Sequence, residues 1–274
     1  MLFETLLSGR FSDRFITKFR FNNLLKEMIP KIIHQTYKSR DLPEDLKKWH
    51  EKVKMLHPAW EIKFWTDEDN IQLVEQHFPH LLEMYIRLPY TIMRVDIVRY
   101  MYMLVYGGFY LDLDYELFSP LDAIGAETEL LLPLSREKQG EDFYTTDVII
   151  GNCIFASAPD HVFWHDVLTA FRKNPPVEKF ANKMDILKLT GPEFITRIYF
   201  QNPGKYYAYL TKKNVFHPDM AYTRMPDYKS ILINKGAMGL HHCKESWLIE
   251  NNSISNIMAR ARASFSRRMR IFLS

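Results

Sequence analysis

The stretch from Thr91 to Asp114, TIMRVDIVRYMYMLVYGGFYLDLD, constrains the fold more than any other part of the chain. Residues 91–106 are apolar on most sides, as a helix surrounded by protein must be. The pattern stops at Gly107-Gly108, where glycine supplies the left-handed backbone that commonly ends a helix. Phe109 to Leu113 then reads as a short buried strand. A buried helix feeding directly into a buried strand calls for a layered core. The preceding residues agree. Ile29 to Thr36 reads as a strand with Pro30 near its start, where a missing donor is tolerated. Leu42-Pro43-Glu44 opens a helix to about Met55, Trp60 to Trp65 forms a strand, and Thr66-Asp67-Glu68-Asp69 caps the next helix. This strand–helix–strand–helix rhythm predicts an α/β fold, with a Rossmann-like, mostly parallel central sheet flanked by helices. Beyond it come a strand near Val148 to Phe155, a helix from about Asp160 to Arg172, and an irregular region over 190–250.

The 274 residues suit one large domain over 29–250, a helical extension over 1–28 and a tail over 251–274. Hydrophobic residues make up 47% and charged residues 25%, which fits a globular chain. A net charge of +3 gives no reason to expect nucleic acid. The tail interleaves Arg260, Arg262, Arg267, Arg268 and Arg270 with Ile257, Met258, Phe265, Met269, Ile271 and Phe272. Such a basic amphipathic segment suits an anionic membrane surface, or equally a solvated helix docked on its own domain. No run reaches the roughly 18 apolar residues a spanning helix needs, and Glu4 and Arg10 interrupt any signal-peptide core. Cys153 and Cys243 form no disulfide framework. The expected location is therefore cytoplasmic, peripheral on the inner face of the membrane if the tail binds there.

On a strand, Asp112 and Asp114 point the same way, while Leu111 and Leu113 anchor the opposite face. Two carboxylates about 7 Å apart, from the strand rise, can hold a divalent ion together with substrate phosphate oxygens. Two solvated acids at a strand end would look the same. Asp96 and Arg99, however, lie three apart on one face of the preceding helix, amid Ile92, Val95, Val98, Met101 and Tyr102. Buried charges must be paired or bind something. They either stitch the helix in place or meet a ligand, and arginine is the favoured partner of phosphate and sugar oxygens.

Asp96, Arg99, Gly107-Gly108, Tyr110 and Asp112-Leu-Asp114 together resemble the signature of glycosyltransferase family 32, the sugar-binding region containing DXD. That family includes yeast-type initiating mannosyltransferases, bacterial capsule and lipid glycosyltransferases and, distantly, the clostridial glucosylating toxins. Pro30 to Thr36 is similar to its first strand, and GLHHCKESW at 239–247 to its closing HHxxxSW element. The resemblance implies a GT-A type fold, a nucleotide-sugar donor with UDP favoured, a glycan or lipid acceptor, Mn²⁺ (or Mg²⁺), and retention of anomeric configuration. It implies catalytic roles for Asp96, Arg99, Asp112 and Asp114. It implies donor contacts from His34, Gln35, Thr36, Trp65, Asp96, Arg99, Tyr110, Asp112, Ser246 and Trp247. It implies metal ligation by Asp112, Asp114 and His241, with His242 as the alternate. Thr190-Gly191-Pro192 looks like the family's TGP turn, and Asn152 lies near its acceptor side. Cys243 and Lys244 depart from the closing element, where an aromatic and a small residue are expected. An imidazole ligand favours Mn²⁺ over Mg²⁺. Two rival readings remain at this level: a DxD phosphohydrolase, and a non-catalytic sugar-nucleotide-binding module.

Overall fold

The computed structural model describes residues 29–124, 127–137, 148–176 and 183–244. The expected extensions at 1–28 and 251–274, and Ser246 and Trp247, lie outside the described residues.

The chain opens with β1 (Ile32–Thr36), α1 (Glu44–Leu56), β2 (Glu61–Trp65), α2 (Asp67–His77), the short α3 (Leu82–Ile86) and α4 (Thr91–Val105). It continues through β3 (Gly108–Leu111), β4 (Tyr115–Leu117), β5 (Leu130–Glu137), β6 (Val148–Ile150), β7 (Ile154–Ser157) and α5 (Val162–Lys173). Then follow α6 (Lys183–Leu189), α7 (Pro192–Gln201), β8 (Tyr209–Thr211), α8 (Lys213–Phe216), α9 (Tyr228–Asn234) and β9 (Gly239–His241). The main sheet runs β2-β1-β3-β7-β5-β6, with β8 also pairing with β5. β1 is parallel to β2 and to β3, and β8 is parallel to β5. β7 runs against both β3 and β5, and β6 against β5. Five of the seven strands therefore point one way, and the α/β class with a mostly parallel sheet stands as expected.

Local signals explain the elements. The Thr66 side chain accepts from the Asp69 N–H and Asp69 bonds back to Thr66, a capping box that starts α2. In α4, Met93, Asp96 and every residue from Ile97 to Leu104 are buried. Each fully buried large apolar side chain contributes roughly 1.5–3 kcal/mol, so this helix anchors the domain. Tyr100 stacks on Trp164 of α5 with ring centroids 5.4 Å apart. At its end, Gly107 takes φ +61° and its N–H bonds to the Met103 carbonyl at 3.1 Å. Gly108 takes φ +90°, and a Cβ there would lie 2.6 Å from the Ile32 carbonyl oxygen. Only glycine lets β3 lie so close to β1. Strand alternation sends Tyr110 into the core around α4, and Phe109 and Leu111 into a second core that includes Val53 of α1.

Two expectations are corrected here. The strand after Gly107 ends at Leu111, and Asp112 to Asp114 form a turn closed by a 3.1 Å bond from the Tyr115 N–H to the Asp112 carbonyl. The backbone reverses there because Tyr115 begins a new strand that pairs with β9. The single strand expected over 148–155 is two, β6 and β7, on different partners. The break at Gly151-Asn152-Cys153 turns those residues toward the same end of the sheet as the Asp112 turn.

Candidate active site

A cavity of about 620 Å³ opens at that end, where β3 gives way to the Asp112 turn. Asp96, Arg99, Tyr110, Asp112, Asp114, Asn152, His241 and Lys244 all line it. Four separate parts of the chain meet here: α4, the turn after β3, the β6–β7 break, and β9.

Arg99 is 3% exposed, and most of its guanidinium is held by protein groups at the cavity wall. Nε donates to the Val95 carbonyl at 3.2 Å, and Nη1 donates to the Asn152 carbonyl at 2.7 Å. Its cation lies 4.5 Å above the Tyr110 ring, 3.5 Å from an Asp112 oxygen and 3.6 Å from an Asp96 oxygen. Burial opposes the charge, but the two carboxylates and the ring outweigh it and hold the group protonated. Asp96 is equally buried. One carboxylate oxygen accepts from the Asn152 amide at 3.0 Å and the other from the Thr190 hydroxyl at 2.9 Å. Burial pushes its pKa up to about 6, although Arg99 and Thr190 pull the other way. Asp96 and Arg99 are thus both an internal pair and part of the cavity wall.

Asp112 accepts a 2.5 Å bond from the Tyr110 hydroxyl. Burial raises its pKa against the pull of Arg99 and His241. Asp114 behaves differently. Burial favours its neutral form, but the His241 ring and the Lys244 N–H, 2.8 Å from Oδ2, bring its pKa below the ordinary carboxylate value. His241 Nε2 stands 3.0 Å from Asp114 and 3.6 Å from Asp112. One ligand atom from each of Asp112, Asp114 and His241 lies within 4.8 Å of the others. Two carboxylates and an imidazole converging on a point fit a divalent ion, with room toward the cavity for substrate oxygens. His242 turns to the other side of the strand, 3.2 Å from Glu116 and away from this group.

Other residues expected at the donor fall in different places. Thr36 lines the cavity. His34 and Gln35 are fully buried in β1. His34 bonds to the Gly107 carbonyl at 2.9 Å and accepts from Trp65 Nε1 at 3.1 Å, while Gln35 pairs with His50 at 2.7 Å. Trp65 stacks against Tyr102 with centroids 4.9 Å apart, away from the cavity wall. Asp45, Cys153 and His217, unexpected from the sequence, also line the cavity. Thr190, expected only as a turn residue, holds Asp96. A helical Asp45 or a loop His217 carries no local pattern that marks it; only the tertiary fold brings it in.

Residues 43–131 match the family described as "Glycosyltransferase sugar-binding region containing DXD motif". The mannosyl phosphorylinositol ceramide synthase SUR1 of Saccharomyces cerevisiae is 32% identical over 85% of this chain and 57% of its own length. The inositol phosphoceramide mannosyltransferase 2 of Schizosaccharomyces pombe is 29% identical over 74% of this chain and 54% of its own length. The chain thus spans about half the length of the curated relatives it matches. Among solved structures, the PaToxG glycosyltransferase is 18% identical over 71% of this chain and 80% of its own, with a TM-score of 0.48. The galactosyltransferase LgtC is 13% identical over 85% and 94%, with a TM-score of 0.38.

The relatives, by name synthases and mannosyltransferases of inositol phosphoceramide lipids, contradict the cytoplasmic location expected from the missing spanning run, the interrupted signal core and the two cysteines. Two free thiols report no compartment: Cys153 is buried beside His217 and Cys243 is exposed. No helix among the described residues is long and apolar enough to cross a membrane. The Asp112-Leu-Asp114 turn lies inside the matched region, and residues 43–131 are those of a glycosyltransferase sugar-binding region containing the DXD motif.

Proposed function

We propose that this chain moves a hexose from a nucleotide-sugar to a lipid-linked acceptor, with mannose as the sugar and an inositol phosphoceramide as the acceptor class. The observation that carries the reading is one cavity wall shared by the buried Asp96–Arg99 pair and the Asp112–Asp114–His241 group. The names of the relatives support the sugar and the acceptor. The nucleotide, for which UDP is the sequence expectation, is read by screening GDP- and UDP-sugars side by side.

In this reading Asp112, Asp114 and His241 hold Mn²⁺ (or Mg²⁺), and the imidazole favours manganese. When bound, the ion supplies charge neutralisation for the departing diphosphate. The protein supplies the rest. Asp96, held by Asn152 and Thr190, accepts from donor-sugar hydroxyls, and Arg99 directs positive charge into the cavity in a dry environment where it is most effective. Thr36 and Tyr110 border the donor. The reaction retains configuration. The acceptor hydroxyl attacks the anomeric carbon from the leaving-group side, the carbon–oxygen bond to the diphosphate breaks, and the acceptor's proton passes to the departing phosphate. A glycosyl-enzyme adduct trapped by mass spectrometry with a slow donor would overturn this same-face route.

A DxD phosphohydrolase is less well supported, because Asp112 is engaged by Tyr110 and Arg99 rather than free to attack. Release of phosphate from a generic monoester, with no transfer or hydrolysis of any sugar nucleotide, would favour it instead.

A further inference from the structure

His241 reaches Asp114 from 127 residues away, on a strand only three residues long. Among the described residues β9 pairs with β4 alone, and β4 is equally short. A two-stranded ribbon of this size is marginal by itself, so something else must fix it.

That support lies on the face of β9 opposite the catalytic group. Glu116, beside the Asp112–Asp114 turn, is 4% exposed. Its carboxylate pairs with Lys229 at 2.6 Å, His242 at 3.2 Å and Lys52 at 3.4 Å. The Tyr228 hydroxyl donates to it at 3.4 Å. The His242 ring lies flat on Trp49 of α1, with centroids 4.3 Å apart and planes 14° from parallel. The backbone follows the same path. The His242 N–H donates to the Asp114 carbonyl at 2.9 Å and the Lys244 N–H to the Asp114 carboxylate at 2.8 Å. The Lys244 ammonium pairs with Asp45 and sits 5.2 Å above the Trp49 ring.

Successive residues of a strand face opposite ways. Holding His242 between Trp49 and Glu116 therefore obliges His241 to face Asp112 and Asp114. We propose that Trp49, Glu116 and His242 form a clasp that positions His241 for metal binding, making them positioning residues that touch no substrate. The inference rests on the reading of Asp112, Asp114 and His241 as the metal group. It also explains why two adjacent histidines are used differently: one faces the ion and its neighbour locks the strand.

The test is calorimetric titration with Mn²⁺ alone, paired with Mn²⁺-dependent kinetics, on the full chain. Loss of a partner that orients a metal ligand typically costs about 10- to 100-fold in affinity, and that range is expected for His242→Ala and Glu116→Gln. The apparent KM for Mn²⁺ rises with it, while kcat at saturating Mn²⁺ stays close to wild type. His242→Phe, which keeps the stack on Trp49 but loses Glu116, falls between, and Trp49→Phe restores more affinity than Trp49→Leu. His242 is the least buried of the three, so its variants carry the test if the others do not fold. Variants that melt earlier yet bind Mn²⁺ as wild type does would reduce the clasp to ordinary packing and overturn the proposal. A wild-type chain that binds no Mn²⁺ would overturn the metal reading itself, a result distinguishable because His241→Ala would then match wild type.

Discussion

Replacing Arg99 with methionine tests whether the buried charges are held as a unit. Methionine fills most of the volume, so the loss is electrostatic and hydrogen-bonding in character. Arg99 lies 3.6 Å from Asp96 and 3.5 Å from Asp112. At an effective dielectric of about 20, each contact is worth roughly 5 kcal/mol before desolvation is counted. Breaking a buried pair from one side costs about 3–5 kcal/mol net, because the stranded carboxylate must stay buried or take up a proton. The pH dependence follows from Asp96. Its pKa is raised from 3.8 to about 6 in the folded chain, chiefly by burial. A carboxylate raised in this way favours the folded state at low pH, and that contribution is lost as pH rises through about 6. Without Arg99 the pKa rises further, so the loss extends to higher pH. Urea unfolding of Arg99→Met against wild type is therefore expected to show a larger deficit at pH 8 than at pH 5. The Arg99→Met, Asp96→Asn double variant should recover part of it at pH 8 and little at pH 5. A deficit below about 1 kcal/mol, the range of a surface pair, or one equal at both pH values, would refute the reasoning.

Asp114→Asn is expected to lose Mn²⁺ binding and turnover together while still folding, read by calorimetry and a melt; wild-type rates would remove its ligand role. Gly108→Ala forces an alanine into φ +90° with its Cβ 2.6 Å from the Ile32 carbonyl oxygen, and strain of that kind costs about 1–3 kcal/mol. Its melting temperature should fall, whereas an unchanged one would mean that β1 and β3 separate easily. Glu116 has its pKa lowered from 4.5 to about 2 in the folded chain, where His242 and Lys229 outweigh the effect of burial. Its stabilisation, roughly 3 kcal/mol, is present above pH 4.5 and is lost as pH falls through about 2. Glu116→Gln should flatten that part of the acid-unfolding curve, and an unaltered curve would count against it. Trp65→Ala removes a ring stacked on Tyr102 and His34 and should lower stability by about 3–5 kcal/mol. Nucleotide affinity measured on the same variant decides whether Trp65 also meets the base.

Much of the site was legible before folding because its residues sit close together in sequence. Asp96, Arg99, Tyr110, Asp112 and Asp114 fall on one helix, one strand and the turn after them, and periodicity locates the helix and the strand. Charges on an otherwise apolar helix announce themselves, since burial of Asp96 and Arg99 demands partners. The partners were less visible. Asn152 and Thr190 reach Asp96 from 56 and 94 residues away, and only tertiary contacts reveal such distances. Strand alternation could not choose between His241 and His242 without knowing which side of β9 faces β4's turn. The same alternation misplaced Asp112 and Asp114 on a continuing strand, because nothing local signals that Tyr115 begins a new pairing with β9. His34 and Gln35 show the opposite difficulty. The family resemblance implied donor contacts from both, yet His34 serves Gly107 and Trp65, and Gln35 serves His50.

The central claim is that the Asp112–Asp114–His241 group and the Asp96–Arg99 pair form one donor site for sugar transfer. The most direct measurement incubates the full chain with Mn²⁺, a panel of GDP- and UDP-sugars and vesicles containing inositol phosphoceramide, and resolves the lipids by mass spectrometry. The account predicts a product heavier by one hexose, formed from a mannose donor, abolished by EDTA and absent with Asp114→Asn. A product formed equally well in EDTA, or formed by Asp114→Asn, would contradict it.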